Sequence, residues 1–281
     1  MKSIQNSLDW FCVKHPVLTR CILYTIYAIL IFSCAKVLGL HVAVAVIIFL
    51  LVAFYTLLMV SSAAFRLMIE PIKQFGSGDP YPLLRVTYEL LKHENGKAAR
   101  LLVTVYRSAA LCMVGEFEFA ISVLKAANIE SNTSATVPVK LLYYNDLADA
   151  YFMLGDYEKY AIWFEQYARI FSDMKEGARK NNLKNSHNLS LAQYHISKGE
   201  YIKALELLCN ATASAEITKV DIAYYSAMAH IGLGDKDLAR QDLMFVISFD
   251  KDIYVVKHAR ELLEELDKDS EKKDQDVENP Q

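Results

Sequence analysis

Apolar residues run almost unbroken from Val17 to Phe65, where Arg20 and Lys36 are the clear charges. A helix needs about 20 apolar residues to cross the hydrocarbon core of a bilayer. The run therefore predicts two spans, residues 21–40 and 42–65, joined by a very short turn around Gly39 and His41. The stretch "EPIKQFGSGDPYP" follows, with three prolines and two glycines. It cannot continue a helix and predicts a linker over residues 66–81. Beyond it the pattern turns helical and polar on one side. A helix from Pro82 to Lys92 opens a domain covering residues 82–266, and residues 267–281 form a charged tail expected to be disordered. In the N-terminal segment, residues 1–20, Ile4, Leu8 and Phe11 share a helical face with Trp10 beside it. That segment reads either as a helix lying along a membrane interface or as an ordinary short helix.

Two other readings of the apolar run compete with a transmembrane hairpin. A signal peptide would have a shorter apolar core and a small-residue cleavage site. A buried hairpin in a soluble protein would carry polar positions on one face, which Val42–Met59 nearly lacks. Orientation follows the basic flanks. Lys2, Lys14 and Arg20 precede the spans and Arg66 and Lys73 follow them, whereas Lys36 and His41 lie near the turn. Both termini and the polar domain are expected at the cytoplasmic face of the plasma membrane.

The polar domain contains a recurring block. "GEFEFAI" begins at Gly115, "GDYEKYAI" at Gly155, "GEYIKAL" at Gly199 and "GDKDLAR" at Gly234. Each glycine suits the left-handed end of a first helix, and the acid after it suits the start of a second. Seven residues before the glycines stand the small residues Ser108, Ala148, Ala192 and Ala227. Five residues after them stand Ala120, Tyr160, Ala204 and Ala239, and nine after them the bulky Leu124, Phe164, Leu208 and Leu243. Small residues on facing helices let backbones pack closely.

In these blocks the chain resembles the tetratricopeptide repeat family, in which helix–turn–helix units of about 34 residues stack into a curved solenoid. The resemblance covers residues 100–250, with "VISFDKDIYVVKHARELLEEL" as a closing helix. It departs from the family in its glycine intervals of 40, 44 and 35 residues, in Tyr160 standing for alanine, and in lacking the proline that ends each repeat. The fold expected is all-α, a two-helix transmembrane hairpin followed by a helical-repeat solenoid. In the family the first helix of each repeat lines a groove that receives peptides or partner helices. Projected here, that face is Leu102, Val105, Ala109, Asn145, Asp149, Phe152, Leu189, Gln193, Ile196, Asp221, Tyr224 and Met228. The Lys/Arg cluster with which some members clamp a peptide carboxylate is missing, so the expected groove is apolar with scattered polar residues.

Charge and motifs narrow the function. The tail from Asp267 holds six acids and three lysines, which leaves the rest balanced at 27 acidic and 27 basic residues. A neutral body without a basic block argues against nucleic-acid binding. The five cysteines lack CxxC spacing, and the motifs HExxH, GK[ST], GxSxG and GxGxxG are absent. His195 and His230 each stand four residues before a turn glycine, where Leu111 and Tyr151 stand in the other copies, so the position reads as packing and no metal is expected. The sequons at Asn132, Asn188 and Asn210 would matter only in a lumen. Neither catalysis nor a cofactor is expected. The expectation is a membrane-anchored adaptor that binds a protein or peptide partner, with the bilayer engaged by the hairpin and self-association open. The alternative is a peptide-sensing regulator whose solenoid changes shape on binding.

Overall fold

The computed structural model describes residues 2–39, 41–93, 96–131, 135–213 and 215–278, and is helical with no strand among them. α1 (Lys2–Lys14) leads into two apolar helices, α2 (Pro16–Leu38) and α3 (Val42–Ser61), then α4 (Ala63–Gly76) and α5 (Tyr81–Leu91). Helix pairs follow: α6 (Lys97–Val114) with α7 (Phe117–Ala127), α8 (Val137–Met153) with α9 (Tyr157–Ser172), α10 (Ala178–Ser197) with α11 (Tyr201–Cys209), and α12 (Glu216–Leu233) with α13 (Lys236–Ser248). α14 (Tyr254–Glu278) ends the chain.

Gly39 closes α2 at φ 66°, and His41 opens α3 by accepting the Ala43 amide on Nδ1 at 3.3 Å. Leu40, the expected end of the first span, and the sequon residue Asn132 lie outside the described residues. Both helices are long and apolar enough to cross a membrane. The rest of the chain leaves them uncovered: Ile29, Leu30, Leu50, Leu51 and Phe54 are each more than half exposed. Their threonine hydroxyls are satisfied internally, since Thr19, Thr25 and Thr56 donate to the carbonyls of His15, Cys21 and Val52. α2 starts at Pro16, ahead of the expected span, because proline suits a first helical turn.

The expected linker is largely helix. α4 runs through Pro71 to Gly76, so composition alone misjudged this stretch. Packing supplies the reason. Ala63, Ala64, Leu67 and Met68 bury one face of α4 in a core shared with Val13, Leu90 and Val103. Burying that face outweighs the ~3 kcal/mol that an interior proline costs. Arg66 also clamps α1 to α4. Its Nη2 meets Asp9 Oδ1 at 2.6 Å, its Nε the same oxygen at 3.1 Å, and Nη2 also donates to the Met59 carbonyl at 2.9 Å. This junction ties the apolar helices to α6 through Val103.

The repeated blocks do the work their spacing predicts. Gly115, Gly155, Gly199 and Gly234 adopt φ between 72° and 97°. The next residue in each block (Glu116, Asp156, Glu200, Asp235) donates its amide to the carbonyl of Leu111, Tyr151, His195 or His230, which closes the helix end. Among the acids Asp156 caps with its side chain, accepting the Lys159 amide at 3.1 Å. Ser108, Ala148, Ala192 and Ala227 are buried against Ala120, Tyr160, Ala204 and Ala239, all essentially inaccessible. Tyr160 fits because its ring packs edge-on to Phe152 and its hydroxyl donates to the Ser190 carbonyl at 2.7 Å.

The row of pairs curls back on itself. Tyr254 at the start of α14 packs edge-on against Phe117 of α7, ring centres 4.6 Å apart, and lies against Gly115. Tyr81 of α5 donates to Asp252 at 2.6 Å, and the Phe249 ring sits over Gly78. α14 meets the first pair as well as the last, and continues to Glu278 where a disordered tail was expected. Its amphipathic start, Val255, Val256 and Ala259, is buried and anchors the helix.

Gly234→Ala forces a left-handed backbone on alanine and is expected to cost about 1–2 kcal/mol. Gly232→Ala is expected to cost more, because the added methyl would run into the Tyr201 ring. Chemical unfolding of the two variants in detergent checks the order.

Candidate functional site

The curl leaves a cleft of about 380 Å³ walled by α6, α8, α10, α12 and the start of α14. α8 supplies Asn145, Asp146 and Asp149; Asp149 stands four residues after Asn145 and three after Asp146, which sets it on the helical face each of them shares. α10 adds Leu189, Ser190 and Gln193, and α12 adds Ile217, Thr218, Asp221 and Tyr225. Cys112 and Ala109 of α6 form the far wall, with Tyr254 and Val255 of α14.

Hydrogen bonds hold the polar floor across helices. Ser108 Oγ stands 2.7 Å from both Asp146 Oδ2 and the Val105 carbonyl. The hydroxyl has one proton, which it donates to the Asp146 carboxyl or to the Val105 carbonyl. Gln193 Nε2 donates to Asp149 Oδ1 and to the Tyr225 hydroxyl, each at 2.6 Å, and Tyr225 donates to the same Asp149 oxygen at 3.3 Å. Ser190 Oγ donates to Asn145 Oδ1 at 2.6 Å.

Burial dominates the electrostatics. It pushes Asp146 up to about 8, with the Ser108 bond opposing and Asp149 adding. It pushes Asp221 up to about 8 as well, again with Asp149 adding. Asp149 is raised by burial and held back by Gln193 and Tyr225. Cys112 is pushed well above its ordinary value by burial and by Asp149 and Asp146, so it stays a thiol instead of a reactive thiolate. No lysine, arginine or histidine lines the cleft among the described residues.

The expected groove residues divide sharply. Ala109, Asn145, Asp149, Leu189, Gln193 and Asp221 line the cleft. Val105, Phe152, Ile196 and Tyr224 do not; they are buried between helices, Phe152 against Tyr157, Tyr160 and Tyr225. Met228 packs half-buried against the same core, and Leu102 lines a separate apolar hollow beside α4. The cleft adds Asp146, Ser190 and Tyr225 to the expected polar residues. Asp146 was missed, although Asp149 three residues on already marked that face; Tyr225 and Ser190 carried no signal separating them from core. His195 pairs with Glu200 at 2.6 Å and His230 with Asp242 at 3.0 Å, so the two rings serve separate local contacts.

Comparison with family models, with curated proteins and with solved structures returned no match.

The acids give stability an unusual pH slope. In the unfolded chain Asp146 and Asp221 lose their protons near 3.8, and in the fold near 8. Between those values the folded state holds more protons, so stability falls as pH rises and their contribution is gone above about 8. His187 and His258, lowered by burial, act oppositely below about 6.5. The window from 6.5 to 8 isolates the acids. The melting temperature of the full chain should fall across it, and Asp221→Asn should flatten the slope and raise the value at pH 8.

Proposed function

We propose that the chain is a membrane-anchored adaptor, binding rather than catalytic, whose helix pairs take a segment of a partner protein in the cleft. In this reading α2 and α3 form a transmembrane hairpin, both termini and the tetratricopeptide-like pairs lie at the cytoplasmic face of the plasma membrane, and the pairs form a short closed solenoid. The observation that carries it is the contrast between two surfaces. Many apolar side chains of α2 and α3, Ile29, Leu30, Leu50, Leu51 and Phe54 among them, face outward uncovered, which suits lipid. The cleft instead gathers acids, amides and hydroxyls from α8, α10 and α12 around an open volume, which suits a ligand with polar groups.

Anchoring supports the reading energetically. A domain held at the membrane meets other membrane-associated proteins at high effective concentration, so a modest cleft affinity is enough for capture. The basic flanks Lys14, Arg20, Arg66 and Lys73 support the cytoplasmic placement. The thiol of Cys112 is held protonated, which disfavours nucleophilic chemistry in the cleft.

A photocrosslinking amino acid at Thr218, on the cleft wall, is expected to capture a discrete protein in cells, while the same probe at the exposed Lys159 on α9 is not. Phe152, buried between helices, is unsuitable as the probe position. Identical adducts from both positions, or none from Thr218, would contradict the adaptor reading.

A further inference from the structure

We propose that the cleft receives a basic side chain of the partner, an arginine guanidinium before a lysine ammonium, as its anchoring group. This rests on the partner-binding reading above and names the chemistry that the cleft selects.

Several acceptors of the cleft have no donor among the described residues. Asp221 has neither carboxylate oxygen bonded to a described residue, and it lines the cleft. Asp149 spends Oδ1 on Gln193 and Tyr225 and leaves Oδ2 free. Asp146 spends Oδ2 on Ser108 and leaves Oδ1. An independent group points the same way. Gln193 is 5 % exposed and lines the cleft. Its amide nitrogen is the group that meets Asp149, at 2.6 Å. Nε2 therefore faces Asp149 and Tyr225, and Oε1 is left with no donor among the described residues. Oε1 is not fully enclosed, and Gln193 lines the cleft.

A half-buried or buried carboxylate without a counter-charge is costly, which is why Asp146 and Asp221 hold protons in the cleft; a bound cation would displace those protons and pair with the carboxylates. The cleft offers such acceptors from α8, α10 and α12 and no cationic side chain of its own. A small metal ion does not fit the arrangement: no three His, Cys, Asp or Glu side chains among the described residues are gathered to hold one. Acceptors spread over three helices suit a larger cation with several donors. A guanidinium brings five N–H groups in a plane and an ammonium three, so arginine matches the spread better. Leu142, Met153, Leu189 and Ile217 supply apolar wall for the side-chain stem.

The test uses the full-length protein in lipid nanodiscs and three probes: N-acetyl-arginine methylamide, its neutral isostere N-acetyl-citrulline methylamide, and free spermidine. Thermal-shift titration should show binding of the arginine probe, with the citrulline probe weaker by about tenfold or more. Asp221→Asn should weaken the arginine probe by a similar factor while keeping wild-type helicity and a melting temperature at or above wild type. That variant removes a carboxylate with no partner in the fold, so unfolding does not explain a loss; Asp149→Asn is the second variant. Equal binding of the arginine and citrulline probes, no binding of either, or indifference to Asp221→Asn overturns the proposal. Spermidine binding more tightly than the arginine probe also overturns it, assigning the cleft to a free polyamine. Capture from Thr218 that persists in Asp221→Asn, with no binding of the arginine probe, sinks the cation and leaves the partner reading intact. Arginine binding without cleft-specific capture does the reverse.

Discussion

Everything in the polar half of the chain depends on how closely helices can approach at one place in each pair. Ser108, Ala148, Ala192 and Ala227 on the first helices are buried where the second helices bring Ala120, Tyr160, Ala204 and Ala239. Side chains of this size set the distance between helix axes, and the glycine after each first helix turns the chain back in two residues. Where a tyrosine intrudes, at Tyr160, the stack adjusts by letting its hydroxyl reach the backbone of α10. The accumulated geometry brings α14 onto the first pair, and the contacts of Tyr254, Phe249 and Tyr81 fasten it there. The cleft is the space this closure encloses.

Closure explains the electrostatics of that space. An aspartate on an open groove would keep its water and its ordinary acidity. Asp146, Asp149 and Asp221 are walled by helices on several sides, and burial is the leading cause of the shift at each. The fold carries these acids at a cost to its own stability near neutral pH. Surface acids such as Glu89 and Asp156, beside Lys92 and Lys159, show the opposite shift, downward. Groups held against stability inside a cavity are the usual mark of a site under functional demand.

The turns and the close-packed positions were legible in the sequence because they are local: a glycine, an acid and small residues at fixed offsets leave little freedom. Facing was harder to read. A 3.6-residue period places Phe152, Ile196 and Tyr224 on the first helices, but it does not separate the side turned to the cleft from the side turned to the next pair. Pro71 read as a break because proline propensity is a local rule, whereas the face Ala63–Ala64–Leu67–Met68 is satisfied by α1, α5 and α6. Asp146 escaped because its significance lies in Ser108, 38 residues earlier, which looked like an ordinary small packing residue. The curl itself joins residues such as Tyr81 and Asp252, 171 apart, and no local pattern encodes it.

The apolar half and the cleft half meet at the core of Val13, Met68, Leu90 and Val103 and at the Asp9–Arg66 pair, so the placement of one fixes the placement of the other. Two native features make this measurable: His41 stands at the turn between α2 and α3, and Cys209 is an exposed thiol at the end of α11. The decisive measurement is labelling of intact cells with a membrane-impermeant maleimide. One variant keeps Cys209 as its sole cysteine; the other carries His41→Cys in a cysteine-free background. The account predicts that the His41→Cys variant is labelled in intact cells and that Cys209 is labelled only after permeabilisation. Labelling of Cys209 in intact cells, or shielding of both positions until lysis, would contradict it.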